Sequence, residues 1–220
     1  MTKKNKTLIM LSGGLDSTTA LAKAIKEGYT VKAIFFNFGQ ENSKRELAAA
    51  RRVSMHYDID LEVVNMEGIS ENFLGLSQGI NIGIGFTSLT GEKSQNCPHA
   101  LFGLASTFAI LKGFDKVING INSVDYESAP TIKDYVKSYS ELINKFEKGN
   151  FTFETPFLEI SKSEVVKLGQ TLEIPFKITR SCMRNQENHC GECSACRERK
   201  DAFTKAGILD TTTYIKKTNR

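Results

Sequence analysis

Two stretches of this 220-residue chain combine residue types and spacings that can do chemistry. The first is Ser12-Gly13-Gly14-Leu15-Asp16-Ser17, set between an apolar run and a helical stretch. A helix starting there aims main-chain N–H groups and the positive end of its dipole at an anion. The glycines let that backbone approach phosphate oxygens. Ser12, Ser17, Thr18 and Thr19 add hydroxyl donors, and Asp16 adds a carboxylate able to hold Mg2+ or to orient the donors. The spacing is neither Gly-x-x-x-x-Gly-Lys-Ser nor Gly-x-Gly-x-x-Gly, which disfavours the usual GTPase and dinucleotide sites. An ordinary strand-to-helix glycine turn is the competing reading.

The second stretch holds four of the five cysteines, Cys182, Cys190, Cys193 and Cys196, within fifteen residues. Two residues separate Cys190 from Cys193 and Cys193 from Cys196, a tight knuckle of four thiolates that suits tetrahedral zinc. Gly191 permits the sharp turn, and the Cys-x-x-Cys steps bring backbone amides to sulfur. An iron–sulfur cluster is the rival occupant, and unligated buried thiols are the third reading. Four sulfurs complete the shell, which leaves the adjoining His189 outside it and the metal without an open position. Such a metal is structural, pinning Arg180 to Arg199 near the active site.

The elements that position these residues alternate between two periodicities. Thr7 to Leu11 is an apolar run, Thr18 to Lys26 is helical and Val31 to Phe38 is a second apolar run. Glu41 to Tyr57 repeats apolar residues at helical spacing, and Leu61 to Val64 is a third strand. Pro98 to Lys112 and Thr131 to Lys148 read as helices, with a fourth strand over Lys116 to Ile121 between them. Ser161-Lys162-Ser163-Glu164 has capping-box spacing ahead of a helix ending near Gly169. Strands alternating with helices predict an α/β fold with a parallel sheet covered on both faces. The loops after Leu11, Asn37 and Ile121 then face one crevice at the carboxyl ends of the strands. Gly68 to Asn96, rich in Gly, Ser and Asn, is a long aperiodic stretch with the character of an active-site lid.

Composition narrows the class. At 40% hydrophobic and 25% charged residues the chain is globular, and its length fits one large domain with a small appendage. We divide it into residues 1–175 and a C-terminal four-cysteine segment, 176–220, packed on them. A net charge of +4 is mild for a nucleic-acid binder, so no direct nucleic-acid contact is expected. Only Leu8 to Leu11 follows the basic start, short of the ~7 to 15 apolar residues of a signal peptide, and no run approaches the ~18 of a membrane span. These features predict a cytoplasmic protein without membrane association, where reduced thiols favour metal over disulfides.

Ser12 to Ser17 after a first strand resembles the pyrophosphate loop of the PP-loop ATP pyrophosphatases, which cleave ATP to AMP and pyrophosphate. Together with the four cysteines, Phe38-Gly39-Gln40, Gly120 to Tyr126, Thr155-Pro156 with Ser161-Lys162, Cys190-Gly191-Glu192-Cys193 and Arg197, the whole chain resembles the 7-cyano-7-deazaguanine synthase (QueC, ExsB) family. The resemblance implies a Rossmann-like PP-loop domain carrying a small zinc segment, and dependence on ATP, Mg2+ and Zn2+. It also implies a homodimer that adenylates a 7-deazaguanine carboxylic acid, forms the amide with ammonia, and uses a second ATP to dehydrate it to the nitrile for queuosine-type biosynthesis. By position, Leu11, Ser12, Gly13, Gly14, Leu15, Asp16, Ser17 and Thr18 would bind the nucleotide, with Asp16 and Lys162 catalytic. Asp125 and Tyr126 would face the substrate, Asp125 accepting from the guanine-like N1–H and exocyclic amine. Arg180 and Arg184 would hold a phosphate or carboxylate.

The chain departs from the family pattern on the substrate side. Gln-Arg-His becomes Gln40-Glu41-Asn42, Pro-Gly-Arg-Asn becomes Pro98-His99-Ala100-Leu101, and Tyr-Pro-Asp-Cys-Arg becomes Ala129-Pro130-Thr131-Ile132-Lys133. These changes keep two other readings in play. One is a defence-type relative that passes the acyl group to a protein amine; the other is a non-catalytic ATP-binding module.

Overall fold

The computed structural model describes residues 6–67, 98–122, 132–147 and 151–215. Strand β1 (Lys6–Met10) is buried from Thr7 onward, and its side chains alternate between two apolar clusters. Leu8 and Met10 join Ile34, Phe36 and Val117 on one face; Ile9 joins Ala33, Phe35 and Ile118 on the other. A strand covered on both faces has no polar side, which is why this run reads as continuous hydrophobicity rather than alternation.

Strands β2 (Thr30–Asn37), β3 (Leu61–Asn65), β4 (Lys116–Ile118) and β5 (Thr152–Glu154) complete a five-stranded sheet in the order β3-β2-β1-β4-β5, with every pair parallel. Helices α1 (Leu15–Lys26) and α2 (Ser43–His56) cover the face that holds Ile9. On the opposite face lie α3 (Pro98–Leu111) and α4 (Ile132–Glu147), where the Phe102 and Phe153 rings stand 4.1 Å apart between centroids. No helix among the described residues is long and apolar enough to cross a membrane.

Three strands end on the same device. Asn37, Asn65 and Asn119 each accept, through Oδ1, the N–H two residues later, at 3.3, 3.2 and 3.1 Å. A side chain that mimics a turn carbonyl draws the backbone out of the sheet at its carboxyl edge. For β4 this stops the strand at Ile118, three residues short of the sequence expectation. Strand β5 was not expected at all, its three residues being too few to show a period. Helix α1 starts at Leu15 rather than Thr18, so Asp16 and Ser17 belong to its first turn.

Helix α5 (Lys162–Thr171) begins with the expected capping box: the Ser161 hydroxyl accepts from Glu164 N at 3.3 Å, and the Glu164 carboxylate accepts from Ser161 N at 2.7 Å. A 3-10 turn (Phe176–Ile178) leads into the cysteine segment, which closes with α6 (Ser194–Ala206). Leu15 and Ala22 of α1, Val166 of α5, and Ala202 and Phe203 of α6 share one core, so the segment is built into the body of the protein.

Arg199 is the polar centre of that junction. It is fully buried, donating to the Thr179 hydroxyl (2.9 Å), the Ser181 hydroxyl (3.1 Å) and the Phe176 carbonyl (3.0 Å), and it pairs with Asp210 at 3.5 Å. Burial works against the Asp210 anion, but bonds from Thr212 and Tyr214 and the Arg199 charge together hold its carboxyl below the usual range.

Two outcomes test these contributions by urea unfolding. Ser161→Ala is expected to cost about 1 kcal/mol, the usual worth of an N-cap. Arg199→Ala, which strands a buried carboxylate and three acceptors, is expected to cost about 3–5 kcal/mol.

Candidate nucleotide and metal site

The phosphate-loop candidate lies at the carboxyl end of the central strand. Leu11 continues β1, its N–H bonded to the Ile34 carbonyl at 2.9 Å, and its buried side chain anchors the loop from below. Gly13 has φ +76, and a Cβ there would come within 2.4 Å of Ala50 N, so the loop is pressed onto α2 where only glycine fits. Gly14 is the N-cap of α1 without any side-chain cap bond, which leaves the first-turn N–H groups directed outward from the helix end. Ser12 Oγ accepts from Gly14 N (3.3 Å) and lies 3.1 Å from Ser17 Oγ. Gly120, just beyond β4, abuts this turn so closely that a Cβ would sit 2.8 Å from Asp16 C and Ser17 N.

Asp16 and Lys162 come from different helices and meet here: Lys162 Nζ lies 3.2 Å from Asp16 Oδ2 and 3.9 Å from Glu198 Oε2. Asp16 Oδ1 and Thr18 Oγ1 are buried without a hydrogen-bond partner. Buried polar atoms of this kind call for a ligand or water. A carboxylate oxygen suits Mg2+ and a hydroxyl suits a phosphate oxygen, so the residues present fit both groups. Leu15 turns its side chain into the core shared with α5 and α6, leaving only its main chain to the loop.

The four cysteines converge. Their sulfurs lie within 4.8 Å of one another, and Cys190 Sγ is 3.8 Å from Cys196 Sγ. A tetrahedron with Zn–S bonds near 2.3 Å has edges of about 3.8 Å, so the set fits zinc. Cys190 Sγ accepts from Glu192 N (3.4 Å) and Cys193 N (3.2 Å), while Cys182 Sγ accepts from Cys190 N (3.4 Å). Burial alone would raise the Cys190 thiol, but these N–H donors and the neighbouring thiols bring it down to about 6. Burial pushes Cys182 and Cys196 up, so full ionisation of the set calls for a cation among them. His189 stays out of the shell: its Nε2 accepts the Ser181 N–H at 3.0 Å. Burial, then the Arg199 and Arg180 charges, lower it to about 4 against the pull of Asp210, which keeps it neutral.

Arg180 was expected at an anion, and the structure gives its guanidinium other partners. It donates to the carbonyls of Arg184, Gln186 (2.9 Å) and Glu187 (3.2 Å), while its main-chain N–H donates to Gly13 O at 2.8 Å. Arg184 is half exposed, 3.8 Å from Glu192. Asp125, Tyr126, Thr131 and the lid candidate 68–96 lie outside the described residues.

Sequence reasoning missed a buried polar cluster behind the loop. Glu46 accepts from Gln40 Nε2 (3.0 Å) and Asn42 Nδ2 (3.1 Å), and Asn42 Nδ2 also donates to the Cys182 carbonyl at 3.2 Å. Burial raises the Glu46 carboxyl, partly countered by those two amides and by Arg180. The signal that could have found it was Gln40 and Glu46 bracketing the start of a helix, as buried acids need donors. Arg199 was also missed, although its spacing of three from Cys196 and from Ala202 places it on the inner face of α6.

Known proteins are similar to this chain along nearly its whole length. The 7-cyano-7-deazaguanine synthase of Oceanobacillus iheyensis is 29% identical over 223 residues, covering 96% of this chain and 98% of that one. The protein of the same name from Thermoplasma volcanium is 31% identical over 221 residues, covering 96% and 91%. Among solved structures, NMN synthetase from Francisella tularensis superposes with a TM-score of 0.55 at 20% identity, covering 94% of this chain and 79% of that one, a likeness of fold. The family described as queuosine biosynthesis protein QueC matches residues 6–207, from β1 through the end of α6, and the chain belongs to that family.

Proposed function

We propose that this protein is an ATP-dependent, AMP-forming enzyme that converts 7-carboxy-7-deazaguanine and ammonia into 7-cyano-7-deazaguanine. The observation that carries the reading is the meeting of Asp16, Lys162 and the uncapped start of α1 at one point, in a chain matched to the QueC family over residues 6–207. In this reading the main chain and hydroxyls of Ser12 to Thr18 hold the phosphates of ATP. Asp16 would hold Mg2+, which supplies charge neutralisation on the phosphates. Lys162 adds a second cation where the pyrophosphate leaves.

The substrate carboxylate attacks the α-phosphorus and pyrophosphate departs, leaving the acyl adenylate. Ammonia attacks the acyl carbon, a proton is lost and AMP leaves, giving the amide. A second ATP is attacked by the amide oxygen; pyrophosphate leaves and one N–H proton is lost, giving the O-adenylated imidate, from which loss of AMP and the second N–H proton gives the nitrile. Asp125 and Tyr126 are proposed as the substrate-side residues. The metal proposed at the four cysteines is Zn2+, which holds the segment in shape and takes no part in the reaction.

Incubation with ATP, Mg2+, 7-carboxy-7-deazaguanine and ammonia, followed by mass spectrometry, is expected to show the nitrile with two AMP per product. AMP without nitrile, accompanied by mass gained on an added partner protein, would transfer the assignment to conjugation. Absence of pyrophosphate release with any acid would leave only a binding module. Asp16→Ala is expected to retain the fold by circular dichroism while AMP formation falls to background, and retained turnover would refute its role. Metal analysis is expected to find one zinc per chain, lost in Cys190→Ser together with thermal stability; iron in its place would overturn the zinc assignment.

A further inference from the structure

The segment that carries the metal-binding cysteines also forms part of the wall of the phosphate loop. Arg180 stands two residues before Cys182 and is 7% exposed. Its backbone faces the loop on two counts: its N–H donates to Gly13 O at 2.8 Å, and its carbonyl would lie 3.4 Å from a Cβ placed on Gly14. Its side chain faces the other way. The guanidinium gathers the carbonyls of Arg184, Gln186 and Glu187, the stretch of chain between Cys182 and Cys190. One residue is therefore fastened to the phosphate loop by its main chain and to the cysteine knuckle by its side chain.

A second tie runs in parallel. Asn42, at the start of α2, holds the Cys182 carbonyl at 3.2 Å, and the same helix presents Ala50 N against Gly13. Gly13 is thus confined between α2 and the cysteine segment, and Asn42 fixes those two walls to each other. If the knuckle loosens, the carbonyl of Gly13 loses its donor and the loop loses one wall.

On the reading of Ser12 to Thr18 as a nucleotide site, we infer that Arg180 is a positioning residue that couples metal occupancy of the knuckle to nucleotide binding at the loop. The metal holds Cys182 and Cys190, the guanidinium holds the chain between them, and the Arg180 N–H transmits that fixed geometry to Gly13. Such coupling is reciprocal: nucleotide in the loop must hold the metal more tightly by the same factor.

The test uses the zinc-loaded protein. Binding of α,β-methylene-ATP with Mg2+ is measured first by calorimetry, and the zinc affinity is then measured by equilibrium competition with a chromogenic chelator, with and without saturating analogue. Wild type is expected to bind zinc at least about 5-fold more tightly with the analogue bound, the lower end of usual coupling between sites. Arg180→Lys, which keeps the charge but cannot span three carbonyls, is expected to retain one zinc while that factor shrinks toward unity. Arg180→Gln serves where the lysine variant does not fold, and the wild-type comparison needs no variant. If the analogue binds and wild-type zinc affinity is unchanged, the coupling is overturned while the nucleotide site stands. If the analogue does not bind, both fall. If the tightening persists in the folded variants, Arg180 is not the residue that carries it.

Discussion

Gly13 has no room for a side chain, and much of the site depends on that constraint. A Cβ at this position would meet Ala50 N at 2.4 Å and Ala49 C at 2.7 Å, and the backbone already sits at φ +76. The loop can approach α2 this closely only because residue 13 is glycine. With the loop held down, α1 begins at Leu15, its first turn carries Asp16 and Ser17, and Gly120 closes against that turn from β4. Each contact is between backbones, so the geometry does not depend on flexible side chains. That suits a loop whose N–H groups must be aimed before a ligand arrives.

Charge is arranged with the same economy. Asp16 is paired with Lys162, Lys162 lies within reach of Glu198, and Glu198 belongs to the helix whose first turn holds Cys196. The pairing leaves Asp16 Oδ1 buried without a hydrogen bond, and the buried hydroxyl of Thr18, two residues on, is also without one. Both residues fall in the first turn of α1, and buried polar atoms of this kind call for a ligand or water. The cysteine cluster follows the same logic with opposite sign. Burial disfavours several thiolates together, and a divalent cation is what allows them to ionise side by side.

Most of this frame was legible in the sequence because it depends on period. The apolar runs at β1 and β2, the helical spacing of α2 and the capping box at Ser161 each express local rules, and they led to a parallel α/β sheet flanked by helices. What was not legible depends on side chains choosing distant partners. Strand β5 has three residues and no period to read. The end of β4 is set by Asn119 folding back on the N–H of Ile121, a choice that Asn makes only where the sheet edge leaves that N–H unpaired. Arg180 carries the charge expected of an anion ligand, yet three main-chain carbonyls some four to seven residues ahead occupy its guanidinium. No spacing rule distinguishes those outcomes, since both satisfy the same donors.

The departure from the family pattern at residue 42 takes on a different meaning once its position is known. Asn42 replaces the histidine of Gln-Arg-His, a change that in sequence suggests an altered substrate side. In the fold its side chain is buried and bridges Glu46 and the carbonyl of Cys182, while Gln40 meets the same carboxylate from the other side. A neutral amide there donates twice without adding a charge beside Arg180 or the thiols. The substitution is thus an internal adjustment between α2 and the metal segment. Of that triplet only Glu41 is exposed, so the change from arginine to Glu41 is the one that alters the surface at this corner of the molecule.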